Sequence, residues 1–253
     1  MPCLRPIAMR PKNNQIEMLL GEHAVEAVLK AGRRQVFSVV YRLGSQKGPH
    51  AQALQTFRGL ARKAQVEVRE VADKTLPPDN WVAANVGPFQ YAEVGDFSPA
   101  SHPFVCMLDR VQDPQNLGAM LRSMYALGCS GLIIPRHQAA AVTPVVSKVS
   151  AGAAELLPVA RVTNLSQTLD KLKDLGFFSA AAMPLGESLF TVSLETPLVL
   201  IVGNEGQGVG PHLAKACDVQ VSIPMARPFD SLNASVSLAV LAYEVWRKQN
   251  CRL

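Results

Sequence analysis

Three short segments of the 253-residue chain carry residue types at spacings that could do chemistry. The first runs from Asp109 to Asn116 and continues through Leu117, Gly118 and Arg122. Asn116 stands where a helix would start, so its amide could cap free backbone N–H groups; Arg122 is expected about one and a half turns later, on the same side as Asn116. An arginine there offers a planar fork of donors for a phosphate or a developing negative charge. The second segment, Gly203 to Pro211, sets glycines at 203, 206, 208 and 210 around Asn204 and Glu205. Such glycines permit positive φ and let a ligand approach the backbone. Val209 follows Gly208 where a P-loop requires lysine, and the G-x-G-x-G spacing is not that of a dinucleotide fingerprint. A glutamate at the tip would repel phosphate but could orient a cationic or hydroxyl-bearing ligand. The third segment holds Ile223, Pro224 and Met225, then Asp230, Ser231, Leu232, Asn233 and Ser235, and it leads into a helix that Asp230 or Ser231 could cap.

Elements that would position these segments follow from the apolar rhythm. Runs at 104–108, 131–134, 177–182, 198–203 and 219–223 alternate with helical stretches at 117–127, 165–175 and 231–248. Continuous apolar strands between helices imply a parallel sheet covered on both faces, and ligands of such sheets bind beyond the strands' carboxyl ends. The three segments are the loops at those ends. The helix 231–248 carries one apolar set at Leu232, Val236, Ala239, Tyr243 and Trp246 and another at Leu238, Leu241 and Val245, so it is buried on more than one side. One domain covers only one such face fully, which predicts a homodimer.

Upstream, helices at 20–30 and 49–63 alternate with strands at 35–41, 66–71 and 81–86, a compact α/β unit. Gly87, Pro88, Gly95, Pro99 and Pro103 then read as a linker. The expected division is a small domain at 16–87, a linker at 88–103 and a larger domain at 104–253.

Composition narrows the class. With 48% hydrophobic and 18% charged residues the chain should fold as a globular protein. No apolar run approaches the roughly 18 residues of a membrane helix, and residues 1–11 lack a signal-peptide core, so a cytoplasmic protein without a membrane partner is expected. Cys3, Cys106, Cys129, Cys217 and Cys251 form no C-x-x-C pair and the histidines no H-E-x-x-H, so neither disulfide framework nor metal site is expected. The net charge of +5 sits mostly before residue 100, where 13 basic residues face 9 acidic ones. That bias suits a polyanionic partner without proving one.

Taken together and in order, the three segments resemble the three motifs of the SpoU (TrmH) branch of the SPOUT methyltransferases. The match covers residue 104 to the C-terminus: N-x-G-x-x-x-R as Asn116, Gly118 and Arg122; G-x-E-G-x-G as Gly203, Glu205, Gly206 and Gly208; then Ile223–Met225 and Ser231–Ser235. The segment from Leu20 to about Val86 is similar to the small ribosomal-protein-like domain that precedes the catalytic domain in many members. The resemblance implies an α/β fold, a parallel-sheet SPOUT domain with a C-terminal trefoil knot behind a small α/β RNA-binding domain. It also implies a homodimer that methylates a ribose 2′-hydroxyl of RNA from S-adenosylmethionine. Ribosomal RNA is the expected substrate, at a guanosine in the branch it most resembles, with transfer RNA as the alternative.

Residue by residue, the resemblance assigns Gly203, Asn204, Gly208, Ile223, Pro224, Met225 and Leu232 to the cofactor, and Asn116, Arg122, Glu205, Ser231 and Asn233 to the polar active site. The family's motif-one arginine is often given the proton; a guanidinium is a poor base, so holding phosphate and stabilising charge suit Arg122 at least as well. Two departures stand out: Arg227 replaces a glycine common in relatives, and Asp79, Asn80 and Trp81 replace a histidine, glutamine and glycine. Competing readings are a non-catalytic RNA-binding paralogue, against which Asn116, Arg122, Glu205 and Asn233 speak, and a nucleotide-dependent oxidoreductase, against which the glycine spacing speaks.

Overall fold

The computed structural model describes residues 16–204, 206–227 and 231–250. Glu205 and Asp230, both singled out from the sequence, lie outside the described residues, as do Cys3 and Cys251. The chain forms two compact units that divide between Phe89 and Gln90.

The first unit is a four-stranded sheet with two helices: β1 (Glu17–Leu20), α1 (Glu22–Ala31), β2 (Val36–Arg42), α2 (Ala51–Lys63), β3 (Glu67–Val71) and β4 (Val82–Val86), in the sheet order β1-β4-β2-β3. Only the β2–β3 pair is parallel. The apolar faces of α1 and α2 meet it through Val25, Val28, Leu54 and Phe57 against Leu19, Val39 and Ala84. Helix α1 stops at Gly32, which takes φ 61° and returns its N–H to Val28 O, a left-handed cap that glycine adopts without a Cβ penalty. The short strand β1 was not read from the sequence.

The second unit is a six-stranded, wholly parallel sheet in the order β10-β8-β9-β5-β6-β7. Its elements are β5 (Phe104–Asp109), α3 (Pro114–Ala126), β6 (Gly131–Pro135), α4 (Pro144–Val149), α5 (Ala153–Leu156), β7 (Val159–Val162), α6 (Leu165–Asp174), β8 (Phe178–Ser188), β9 (Leu198–Gly203), α7 (Pro211–Ala216), β10 (Val219–Ser222) and α8 (Ala234–Asn250). Every residue of β5 and β9 is buried, as a sheet covered on both faces requires. Val105, Met107, Val199 and Ile201 pack with Leu169 and Leu172 of α6 and Leu213 of α7. Strand alternation turns Cys106, Leu108 and Leu200 to the other face. Leu238, Leu241 and Val245 of α8 are fully buried, each stabilising the fold by roughly 1.5–3 kcal/mol.

The segment read as a linker is mostly part of this unit. Ala92 N donates to Val159 O at 2.8 Å, and Phe97 is buried against Gly131, where an added Cβ would stand 3.1 Å from its ring. Proline and glycine there shape an edge segment that packs through isolated apolar residues, which composition does not separate from a linker. Among the described residues no helix is long and apolar enough to cross a membrane, and no group of three or more His, Cys, Asp or Glu could hold a metal ion.

Candidate active site

The first loop leaves β5 at Asp109. Helix α3 is capped by Asp113, whose carboxylate accepts from Gln115 N at 2.9 Å, with Pro114 at the first helical position. Asn116 is therefore not the cap. It lies within the first turn, and its Oδ1 instead accepts from Asn233 Nδ2 at 3.3 Å. Gly118 is required by packing, since a Cβ there would meet Val149 Cβ and Cγ1 at 2.6 Å where α3 crosses α4. Arg122 is exposed and has no hydrogen bond or ion pair among the described residues. It does not share a face with Asn116, because six residues at 3.6 per turn leave the two about 120° apart.

The second loop folds back on itself. Asn204 Oδ1 accepts from Gly206 N at 3.1 Å and Gln207 N at 2.8 Å, and Gly208 N donates to Asn204 O at 3.0 Å. Gly208 takes φ 61°. At Gly203 a Cβ would stand 1.9 Å from Gly208 C and 2.3 Å from Val209 N, so only glycine lets the loop close. A side chain at Gly203 would meet this backbone rather than the ligand space expected from the sequence.

The third loop follows β10, which a missing Cβ at Gly186 lets approach β8: a Cβ there would lie 2.6 Å from the Gln220 backbone. Pro224, Met225 and Arg227 are exposed. Asn233 then starts α8, its Oδ1 accepting from Ser235 N at 2.9 Å and Val236 N at 3.4 Å. Asn233 thus takes the capping role expected of Asp230 or Ser231.

The second and third loops enclose a cavity of about 590 Å³, within the range of small-molecule sites. Gly203, Asn204, Gly208, Ile223, Met225 and Leu232 line it, as does Ser231. Pro224, assigned to the cofactor from the sequence, does not; nor do Asn116, Arg122, Asn233 or Arg227. Sequence reasoning missed Ala182, Met183 and Pro184, because it ended the strand at 182 while β8 runs on to Ser188. It also missed Ser237, four residues beyond Asn233 on α8, a spacing that could have revealed it. Among the described residues none of the lining side chains is charged. Such an uncharged wall, in which Met183, Val202, Ile223, Met225 and Leu232 stand beside glycines, Asn204 and the hydroxyls of Ser222, Ser231 and Ser237, can accept a largely apolar ligand with a few polar groups.

In the first unit, the departure at Asp79 to Trp81 is structural. Trp81 stacks on His50 with ring centroids 4.3 Å apart and donates its indole N–H to Glu22 at 2.5 Å. Asn80 is buried, and its carbonyl accepts from Arg42 Nη2 at 3.0 Å.

Known proteins share both the sequence pattern and the architecture. The SpoU rRNA Methylase family matches residues 103–243. YacO of Bacillus subtilis (strain 168), assigned to the TrmH family of tRNA/rRNA methyltransferases, is 34% identical over 249 residues, covering 94% of this chain and 98% of its own. A protein of Staphylococcus haemolyticus (strain JCSC1435) assigned to the same family is 33% identical, covering 92% and 96%. Among solved structures, the SpoU methyltransferase AviRb from Streptomyces viridochromogenes in complex with AdoMet superposes with a TM-score of 0.78 at 26% identity, covering 93% of this chain and 91% of AviRb. An RNA 2′-O ribose methyltransferase superposes at 0.74 with 26% identity, covering 93% and 89%.

Proposed function

The chain belongs to the SpoU/TrmH family of S-adenosylmethionine-dependent RNA methyltransferases, and on that premise we propose that it methylates a ribose 2′-hydroxyl of ribosomal RNA, at a guanosine. One observation carries the reading. The cavity is lined by residues of the second and third loops, and Asn233, between the lining residues Leu232 and Ala234, ties it to Asn116 of the first. All three segments thus converge on one site.

The cavity fits the cofactor: its volume suits a nucleoside with an amino-acid tail, and its neutral wall suits a sulfonium balanced by a carboxylate. Gly203, Asn204, Gly208, Ile223, Met225 and Leu232 would hold it. When bound, it supplies a methyl group open to in-line displacement. The chain's own residues then have to align the ribose oxygen and manage the hydroxyl proton. Asn116, Ser231 and Asn233 offer amides and a hydroxyl to position the ribose, and Glu205 is the acidic group of the set. Arg122, exposed and without a hydrogen bond or ion pair among the described residues, is suited to hold the target phosphate and settle charge as the proton leaves.

The same reading makes the first unit the RNA-binding domain, knots the second and third loops into a trefoil, and places the enzyme in the cytoplasm. It also pairs two copies through α8. Val236, Val240 and Tyr243 are 47%, 36% and 53% exposed there, an apolar stripe beside Ser123 of α3. Arg122, the neighbour of Ser123, would then lie at the edge of the partner's site.

The test is labelled-methyl transfer from S-adenosylmethionine to RNA, with 2′-O-methyl positions mapped in RNA from cells with and without the protein. A ribosomal position that depends on the protein is the expected result. Cofactor heat with label on a base overturns the ribose assignment, and a position in transfer RNA overturns the substrate. RNA binding with no cofactor heat identifies a non-catalytic paralogue.

A further inference from the structure

Arg110 takes no part in the chemistry proposed above, yet it is one of four non-glycine residues among the described ones with positive φ, at 59°. That backbone state is uncommon for a side chain of this size and persists where the surroundings hold it. It turns the guanidinium back over Asp109, the last residue of β5, which is 8% exposed. Nε and Nη2 donate to the two carboxylate oxygens at 3.1 and 3.2 Å. The guanidinium also reaches the second loop: Nη1 donates to Gln207 Oε1 at 2.5 Å and Nη2 to Gly208 O at 3.4 Å. Asp109 Oδ2 in turn accepts from Gly210 N at 2.8 Å. Gln207 and Gly208 line the cavity, whereas Arg110 and Asp109 do not.

We infer that Arg110, neutralised by Asp109, is a positioning residue that holds the turn Gln207–Gly208 in its cofactor-receiving shape before the cofactor arrives. The glycines that let this loop close also leave it many other conformations, and two contacts from one rigid, charged fork, with a third from its partner Asp109 to Gly210 N, remove them. Affinity is gained because less ordering remains to be done on binding. The inference rests on the cavity being the cofactor site.

Arg110→Gly is the informative variant, because glycine accepts φ 59° without strain and only the guanidinium is lost. Isothermal titration with S-adenosylmethionine is expected to show Kd raised about tenfold. Single-turnover methyl transfer at saturating cofactor and RNA should stay within about twofold, a split that general unfolding does not produce. Arg110→Lys keeps the charge without the fork and should recover only part of the affinity. Asp109→Asn, nearly isosteric, should weaken binding in the same direction and serves if Arg110→Gly does not fold. Gly206→Val, at a lining position where an added Cβ has only Asn204 Oδ1 within 4 Å, is the reference. If Gly206→Val weakens binding while the Arg110 and Asp109 variants bind like the parent, the positioning role is overturned. If Gly206→Val itself binds normally, the cavity assignment fails instead.

Discussion

Asn233 Nδ2 and Asn116 Oδ1 meet at 3.3 Å across 117 residues of chain, while the other end of the Asn233 amide caps α8. One side chain thereby sets the start of the C-terminal helix and its registration against the first loop. Asn116→Ala removes the link and leaves the Asp113 cap of α3 in place. Its stability in urea should change by no more than about 0.5 kcal/mol, with methyl transfer reduced at least tenfold. Asn233→Ala loses the cap as well and should be destabilised by about 1 kcal/mol. Equal stability losses in the two variants would refute this division of labour.

Gly203 and Gly206 are expected to fail in different ways. Gly203→Ala forces a methyl group to within about 2 Å of the Gly208 backbone, so it should lose the cooperative thermal transition or fold poorly. At Gly206 a Cβ has only Asn204 Oδ1 within 4 Å, at 3.8 Å, so Gly206→Val should fold and lose cofactor affinity. Circular dichroism melts with and without S-adenosylmethionine separate the two. A Gly203→Ala protein with a normal melt would show that the loop has room the geometry denies.

Arg122 is exposed and has no hydrogen bond or ion pair among the described residues, so its replacement should leave the fold intact. Arg122→Ala is expected to remove nearly all single-turnover methyl transfer at saturating RNA and cofactor, with cofactor affinity close to that of the parent. Arg122→Lys should recover a small part, because an ammonium keeps the charge without the two-pronged geometry. A parental rate constant in Arg122→Ala would remove the residue from the reaction.

Asp218 sets a pH dependence. Burial pushes its carboxyl pKa up, but hydrogen bonds from Lys173 and from the Ser179 hydroxyl and backbone outweigh that and hold it below the ordinary value. The ion pair with Lys173 spans 2.8 Å. Because the folded-state pKa is depressed, the unfolded chain takes up the proton first as pH falls. The contribution is complete above the ordinary value of about 4 and is lost as pH falls through the depressed one. Asp218→Asn should be less stable at neutral pH and show a shallower acid limb in urea denaturation. Superimposable pH profiles would rule out the contribution.

Much of the site was legible in the sequence because its chemistry is local. Gly203, Gly208 and Asn204 declare a tight turn through their own conformational preferences, and the apolar runs at 104–108 and 198–203 declare buried strands whose ends bear loops. Gly118 was visible as part of a motif, but its reason, the close approach of Val149, was not. The strands β1 and β7 were not legible in the sequence, although β10, equally short, was. What only the tertiary structure decided are partnerships across long stretches of chain: Asn116 with Asn233, Arg110 with Gln207 and Gly208, and Ala182 to Pro184 with the glycine-rich loop. They depend on the sheet order, in which β9 lies between β8 and β5 and so brings the glycine-rich loop beside both neighbours. A residue's own type and its near neighbours set which turn it can make; which distant strand lies beside it is settled by burying all six strands at once, and no local preference contains that choice.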